Sequence, residues 1–76
     1  MKLNVTTWPS LPDNVAGDSY RFFCTFLRSS ILDNTITLLI DGDEFTLPER
    51  HARVGLVAGK LCVDVKTITA KNLKLC

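Results

Sequence analysis

Thr35-Ile36-Thr37-Leu38-Leu39-Ile40-Asp41-Gly42-Asp43-Glu44-Phe45-Thr46-Leu47 decides how this chain folds. Ile36, Leu38 and Ile40 alternate with Thr37 and Leu39, and Phe45 and Leu47 resume the pattern after Asp41-Gly42-Asp43. A period of two sends alternate side chains to one face of a pleated strand, and Asp-Gly tolerates the positive φ that a tight turn needs. The stretch predicts a β-hairpin with an acidic tip.

Working outward, residues 60–69 place Leu61, Val63 and Val65 on one face and Lys60, Asp64 and Lys66 on the other, which predicts a second amphipathic strand. Residues 19–28 read two ways. Tyr20, Phe23, Cys24, Leu27 and Ile31 fall at helical spacing, but the aromatic density of Tyr-Arg-Phe-Phe-Cys-Thr-Phe-Leu favours a central strand. Leu3, Val5 and Thr7 suggest a short edge strand over residues 1–8, closed by Pro9. Residues 9–18, with two prolines, Asn14, Gly17 and two aspartates, carry turn chemistry. Pro48 ends the hairpin and suits the first turn of a helix, so a short helix is expected over residues 48–54, limited by Gly55 and Gly59. Leu73 and Leu75 alternate with Lys74, which predicts a last edge strand guarded by lysine. The expected fold is mainly β, a small barrel or curled sheet of five to six short strands with one short helix. An α+β arrangement is the alternative, and residues 1–76 form a single domain.

With 76 residues, 46% hydrophobic and 22% charged, and a net charge of +1, the chain has enough apolar content for one core. A core of this size stabilises by only about 3–5 kcal/mol, which leaves self-association as a homo-oligomer open. Cys24, Cys62 and Cys76 are odd in number and widely spaced, with no signal-peptide pattern ahead of them, so three free thiols and a cytoplasmic location are expected. The longest apolar run is far short of the roughly 20 residues that cross a bilayer.

The chemistry-bearing residues are sparse. His51 is the single histidine, and no nucleophile or orienting group is spaced to serve it. Cys24, Cys62 and His51 lack the closely paired ligands of structural zinc sites, so neither metal nor cofactor is expected. Asp41, Asp43 and Glu44 lack the twelve-residue pattern of a calcium loop. In Gly55-Leu56-Val57-Ala58-Gly59-Lys60 only three residues separate the glycines and Leu61 follows the lysine, which excludes a phosphate-cradling nucleotide loop.

Residues 42–60, with Thr46-Leu47-Pro48 followed by Gly55-Leu56 and Gly59, resemble the hairpin, proline, short helix and glycine turn of AbrB-type swapped-hairpin DNA-binding proteins. The resemblance covers a quarter of the chain. Pro48 to Gly55 is one residue shorter than that pattern, and Asp43 and Glu44 stand where that family tends to carry basic contacts.

Charge supplies the remaining asymmetry. From residue 50 onward, Arg50, Arg53, Lys60, Lys66, Lys71 and Lys74 face the single acid Asp64, whereas the hairpin tip is acidic. Such a dipolar surface steers charged partners. The expected function is a small non-enzymatic regulatory or inhibitory protein that binds another protein through Trp8, the acids Asp41, Asp43 and Glu44, and the cations Arg50 and Arg53. The alternative is nucleic-acid binding through the basic C-terminal third, with Lys60, Lys66, Lys71 and Lys74 as contacts, although a pI near 7.7 is low for that class.

Overall fold

A computed structural model describes residues 7–75. Among these residues six strands form two three-stranded antiparallel sheets, followed by one short helix. The first sheet has the order β1(Ser19–Phe23), β6(Lys60–Lys66), β5(Ala52–Val57). The second is a meander of β2(Thr25–Ser30), β3(Thr35–Ile40) and β4(Asp43–Pro48). The sheets do not close into a barrel; two facing sheets are the form that the mainly β expectation takes.

The hairpin forms where expected. Ile40 pairs with Asp43, leaving Asp41 at φ 54° and Gly42 at φ 81°, and two positive φ values match the right-handed twist of the flanking strands. Ile36, Leu38, Ile40 and Leu47 of this hairpin and Val63 and Val65 of β6 are buried together with Ala70. Alternation thus selected the inward faces of both sheets. Phe22, Cys24 and Phe26 pack against the same cluster.

Residues 19–28 form neither a helix nor one strand. The chain is extended throughout, yet it leaves the first sheet at Cys24, whose N–H donates to the Leu61 carbonyl at 3.2 Å, and enters the second as β2. Phe22, Cys24 and Phe26 keep the core side across this corner, so the sequence alternation runs on while the hydrogen-bonding partner changes. A bulge at Leu27 shifts the β2 register between Phe26 and Arg28.

The helix expected over residues 48–54 is a single 3-10 turn, Glu49–His51, after which β5 begins at Ala52. Pro48 and Glu49 do mark a helical start, but Ala52 and Val54 are pulled to the core face at strand spacing and Val57 pairs with Lys60 across a second two-residue turn. Residues 42–60 are therefore divided, with β4 in one sheet and β5 in the other.

The C-terminal expectation is also corrected. β6 ends at Lys66, and Thr67–Asn72 form the helix α1. The Lys74 N–H donates to the Lys71 carbonyl at 3.1 Å and the Leu75 N–H to Ala70 at 2.8 Å, with Lys74 at φ 60°. This pair of bonds is a Schellman cap, so Leu73 and Leu75 fold back against the core instead of forming an edge strand. Of the edge strand expected over residues 1–8, all but Thr7 and Trp8 lie outside the described residues. No helix among the described residues is long and apolar enough to cross a membrane.

Candidate interaction surface

Residues 9–13 are not a free loop. Leu11 donates its N–H to the Leu56 carbonyl at 2.9 Å and Leu56 returns one to the Pro9 carbonyl at 2.8 Å, a parallel bridge along the outer edge of β5. Leu11 is thereby buried over Gly55, where a β-carbon would lie 2.8 Å from the Leu11 Cγ and 2.6 Å from the Pro9 carbonyl oxygen. Arg21 holds the segment down. Its Nε and Nη2 donate to the two Asp64 carboxylate oxygens at 2.7 and 3.0 Å, while Nη2 and Nη1 also donate to the Pro12 and Asp13 carbonyls at 2.7 and 3.1 Å. The Asp64 hydrogen bond, the largest influence, holds this guanidinium still more firmly protonated than usual. Arg21 and Asp64 are thus occupied with structure.

The turns on which residues 41–42 and 58–59 lie are at one end of the molecule, and the 3-10 turn, loop 31–34 and α1 lie at the other. The acidic candidates belong to the first end. Asp41 lines a shallow depression of about 290 Å³ with Phe23, Thr25 and Leu39; Asp43 is exposed; and Glu44 accepts from Arg28 at 3.1 Å on an open face. Trp8 is half buried, its ring 5.3 Å from that of Phe26, so much of its surface is spent on packing.

The basic candidates divide. Arg50, Arg53 and Lys66 line one depression of about 370 Å³, together with Ser19, His51, Glu49 and Asp64. Lys66 and Lys71 line a second of about 430 Å³ with Asp18, Thr67 and Ile68. Lys60 sits at the far end of β6, about 20 Å of strand away, with its Nζ 5.6 Å from the Phe23 ring centre. Lys74 is exposed in the Schellman cap.

His51 shares a 2.9 Å hydrogen bond between its Nδ1 and the buried Thr69 hydroxyl, tying the 3-10 turn to α1. Cys24 and Cys62 are free. Cys24 packs with the core, and burial, reinforced by Cys62, pushes its thiol up to about 12, so it is no activated nucleophile. Among the described residues no cluster of His, Cys, Asp or Glu is arranged to hold a metal ion.

The sequence reading missed the most exposed apolar feature among the described residues. Ile31 and Leu32 are 91% and 95% exposed at the tip of the β2–β3 hairpin. Their place was hidden because Ile31 extends the helical spacing of Tyr20 and Leu27; the available signal was Ser30 and Asp33-Asn34 bracketing them as turn residues. No protein-family model, curated protein or solved structure matches the chain.

Proposed function

We propose that this chain is a small non-enzymatic regulatory or inhibitory protein that acts by binding another protein, with loop 31–34 as its apolar anchor. The observation that carries this reading is the near-complete exposure of the adjacent side chains Ile31 and Leu32. Keeping two such side chains in water forgoes about 1.5–3 kcal/mol of burial each, which a partner's apolar cleft recovers. The loop is also ordered in advance. The Asp33 N–H donates to the Ser30 hydroxyl at 3.2 Å, Asn34 takes φ 54°, and the Glu49 N–H donates to the Asn34 carbonyl at 2.9 Å. An anchor already held in shape loses less entropy on binding.

The test compares the full chain with an Ile31→Ser/Leu32→Ser variant. A partner is captured from the native cell by cross-linking, identified by mass spectrometry, purified, and titrated against both forms. The expected result is a loss of affinity of about tenfold or more with no change in the unfolding midpoint. Equal affinities would sink the role of the loop.

A second reading, nucleic-acid binding, is favoured by the convergence of Arg50, Arg53 and Lys66 on one depression. It requires the logarithm of affinity to fall with the logarithm of salt by about 0.9 for each phosphate contacted on duplex DNA. The separation of Lys60 from the other cations weighs against a continuous basic track.

A further inference from the structure

We propose that the depression lined by Arg50, Arg53 and Lys66 receives the phosphate of a phosphorylated side chain on the protein partner. The inference rests on the protein-binding reading and goes beyond it by naming the chemistry of a second contact. Arg50, Arg53 and Lys66 make no ion pair or hydrogen bond through their side chains with any described residue, whereas Arg21 and Arg28 are both paired. Two acids line the same depression, Asp64 and Glu49. Asp64 is already neutralised, because both its oxygens accept from Arg21. Glu49 alone does not offset three cations.

A phosphate monoester answers this arrangement better than a carboxylate does. It carries close to two negative charges and three acceptor oxygens, and guanidinium groups bind such oxygens in pairs. A single phosphate also fits better than a polyanionic strand. Asp18 lines the adjoining depression beside Lys66, so a nucleic-acid backbone continued past Lys66 would meet a carboxylate. The adjoining depression shares Lys66 and presents Ile68, 67% exposed, to a residue next to the phosphorylated one. The site also borders the anchor. Arg50 follows Glu49, whose N–H is bonded to Asn34 of loop 31–34, so one partner spans both features.

The experiment titrates phenyl phosphate into the isotope-labelled full chain and follows backbone amide shifts. Saturable shifts centred on Arg50, His51, Arg53 and Lys66 are expected, with benzoate binding more weakly. An Arg50→Gln/Arg53→Gln variant should bind about tenfold less tightly with its spectrum otherwise intact, whereas Ile31→Ser/Leu32→Ser should bind phenyl phosphate as the parent does. Phosphatase treatment of the purified partner should then weaken its binding to the parent chain and leave binding to the arginine variant unchanged. Shifts elsewhere, equal binding of benzoate, or indifference to phosphatase would overturn the proposal. So would micromolar, steeply salt-dependent binding of short duplex DNA through Arg50, Arg53 and Lys66. If the phosphate results hold while Ile31→Ser/Leu32→Ser keeps full partner affinity, the role of loop 31–34 fails and the phosphate site stands.

Discussion

The two sheets finish their outer faces by opposite means. In the β2–β3–β4 meander the strands are consecutive, and the outer face is closed by its own residues: Thr37 and Thr46 share a 3.1 Å hydrogen bond between hydroxyls, and Arg28 reaches Glu44 across the exposed surface. In the β1–β6–β5 sheet β5 and β6 are a hairpin but β1 comes from a distant part of the chain, and the outer face is finished by a segment from outside the sheet. Leu11 fills the space above Gly55, and Arg21 bonds residues 12 and 13 to Asp64. One sheet closes its outer face with its own residues; the other buries part of its outer face only beneath the cover of residues 9–13. Breaking that cover is therefore the way to test the difference.

The largest effect is expected at Gly55. A side chain there would collide with the backbone oxygen of Pro9 and with Leu11, and the backbone cannot step aside as the end of a flexible side chain can. Gly55→Val should destabilise the protein by about 3 kcal/mol in urea denaturation, the upper range for overpacking. An effect no larger than that of a surface change would show that the cover lifts at little cost and that the two sheets do not differ as described.

Leu11→Ala attacks the same contact by removal. Leu11 is buried, and its truncation should cost about 2 kcal/mol, at the low end for leucine because a loop can partly settle into the space left. The matching change on the other sheet is Arg28→Ala. Both partners of that ion pair are more than half exposed, so its loss should change stability by no more than about 0.5 kcal/mol. Comparable midpoint shifts for Leu11→Ala and Arg28→Ala would remove the contrast.

Arg21→Gln sharpens the comparison, because it releases the cover while leaving Leu11 and Gly55 unaltered. Its expected effect is smaller than that of Leu11→Ala and mostly local. Limited proteolysis should cut residues 12–18 faster than in the parent, while amide exchange at Leu38 and Val63 in the core stays nearly as slow. Uniform acceleration across both sheets would mean that the staple supports the whole fold.

What could be read from the sequence follows the same division. The β3–β4 hairpin and β6 were legible because alternation and turn chemistry are local, and Asp41-Gly42 sits where the pattern breaks. The corner at Cys24 was not, since the side-chain pattern of Phe22, Cys24 and Phe26 is unchanged when the strand exchanges one sheet for the other. β5 carried a signal in Ala52, Val54 and Leu56 with Ala58-Gly59 after it, but Pro48-Glu49 announced a helix that stops after one turn. The helix α1 overrides propensity. Thr67, Ile68 and Thr69 are β-branched, yet burial of Thr69 and Ala70 and the bonds of the cap hold them in a helix. The candidate cations could be listed from sequence, but which of them share a depression depends on the register of β5 against β6 and of β1 against β6, which no local pattern reveals.

The two tight turns make the smallest and most exact comparison. Residues 41–42 in the meander and 58–59 in the other sheet have almost the same backbone, with φ 54° and 81° in one and 51° and 78° in the other. The first residue differs. Asp41 is of a type that tolerates the left-handed region, whereas Ala58 gains nothing there and bears a steric cost of about 1–2 kcal/mol. Ala58→Gly would relieve that strain, but it also frees the unfolded chain, which takes back about 0.4–1 kcal/mol. Ala58→Asn relieves part of the strain without that loss. Each change should therefore stabilise the protein by about 0.5 kcal/mol, seen as a higher denaturant midpoint at unchanged slope. Ala58 is exposed, so no packing change competes with the effect. Destabilisation by both variants would show that residue 58 does not hold the left-handed conformation in solution, and that the second sheet closes its hairpin differently from the first.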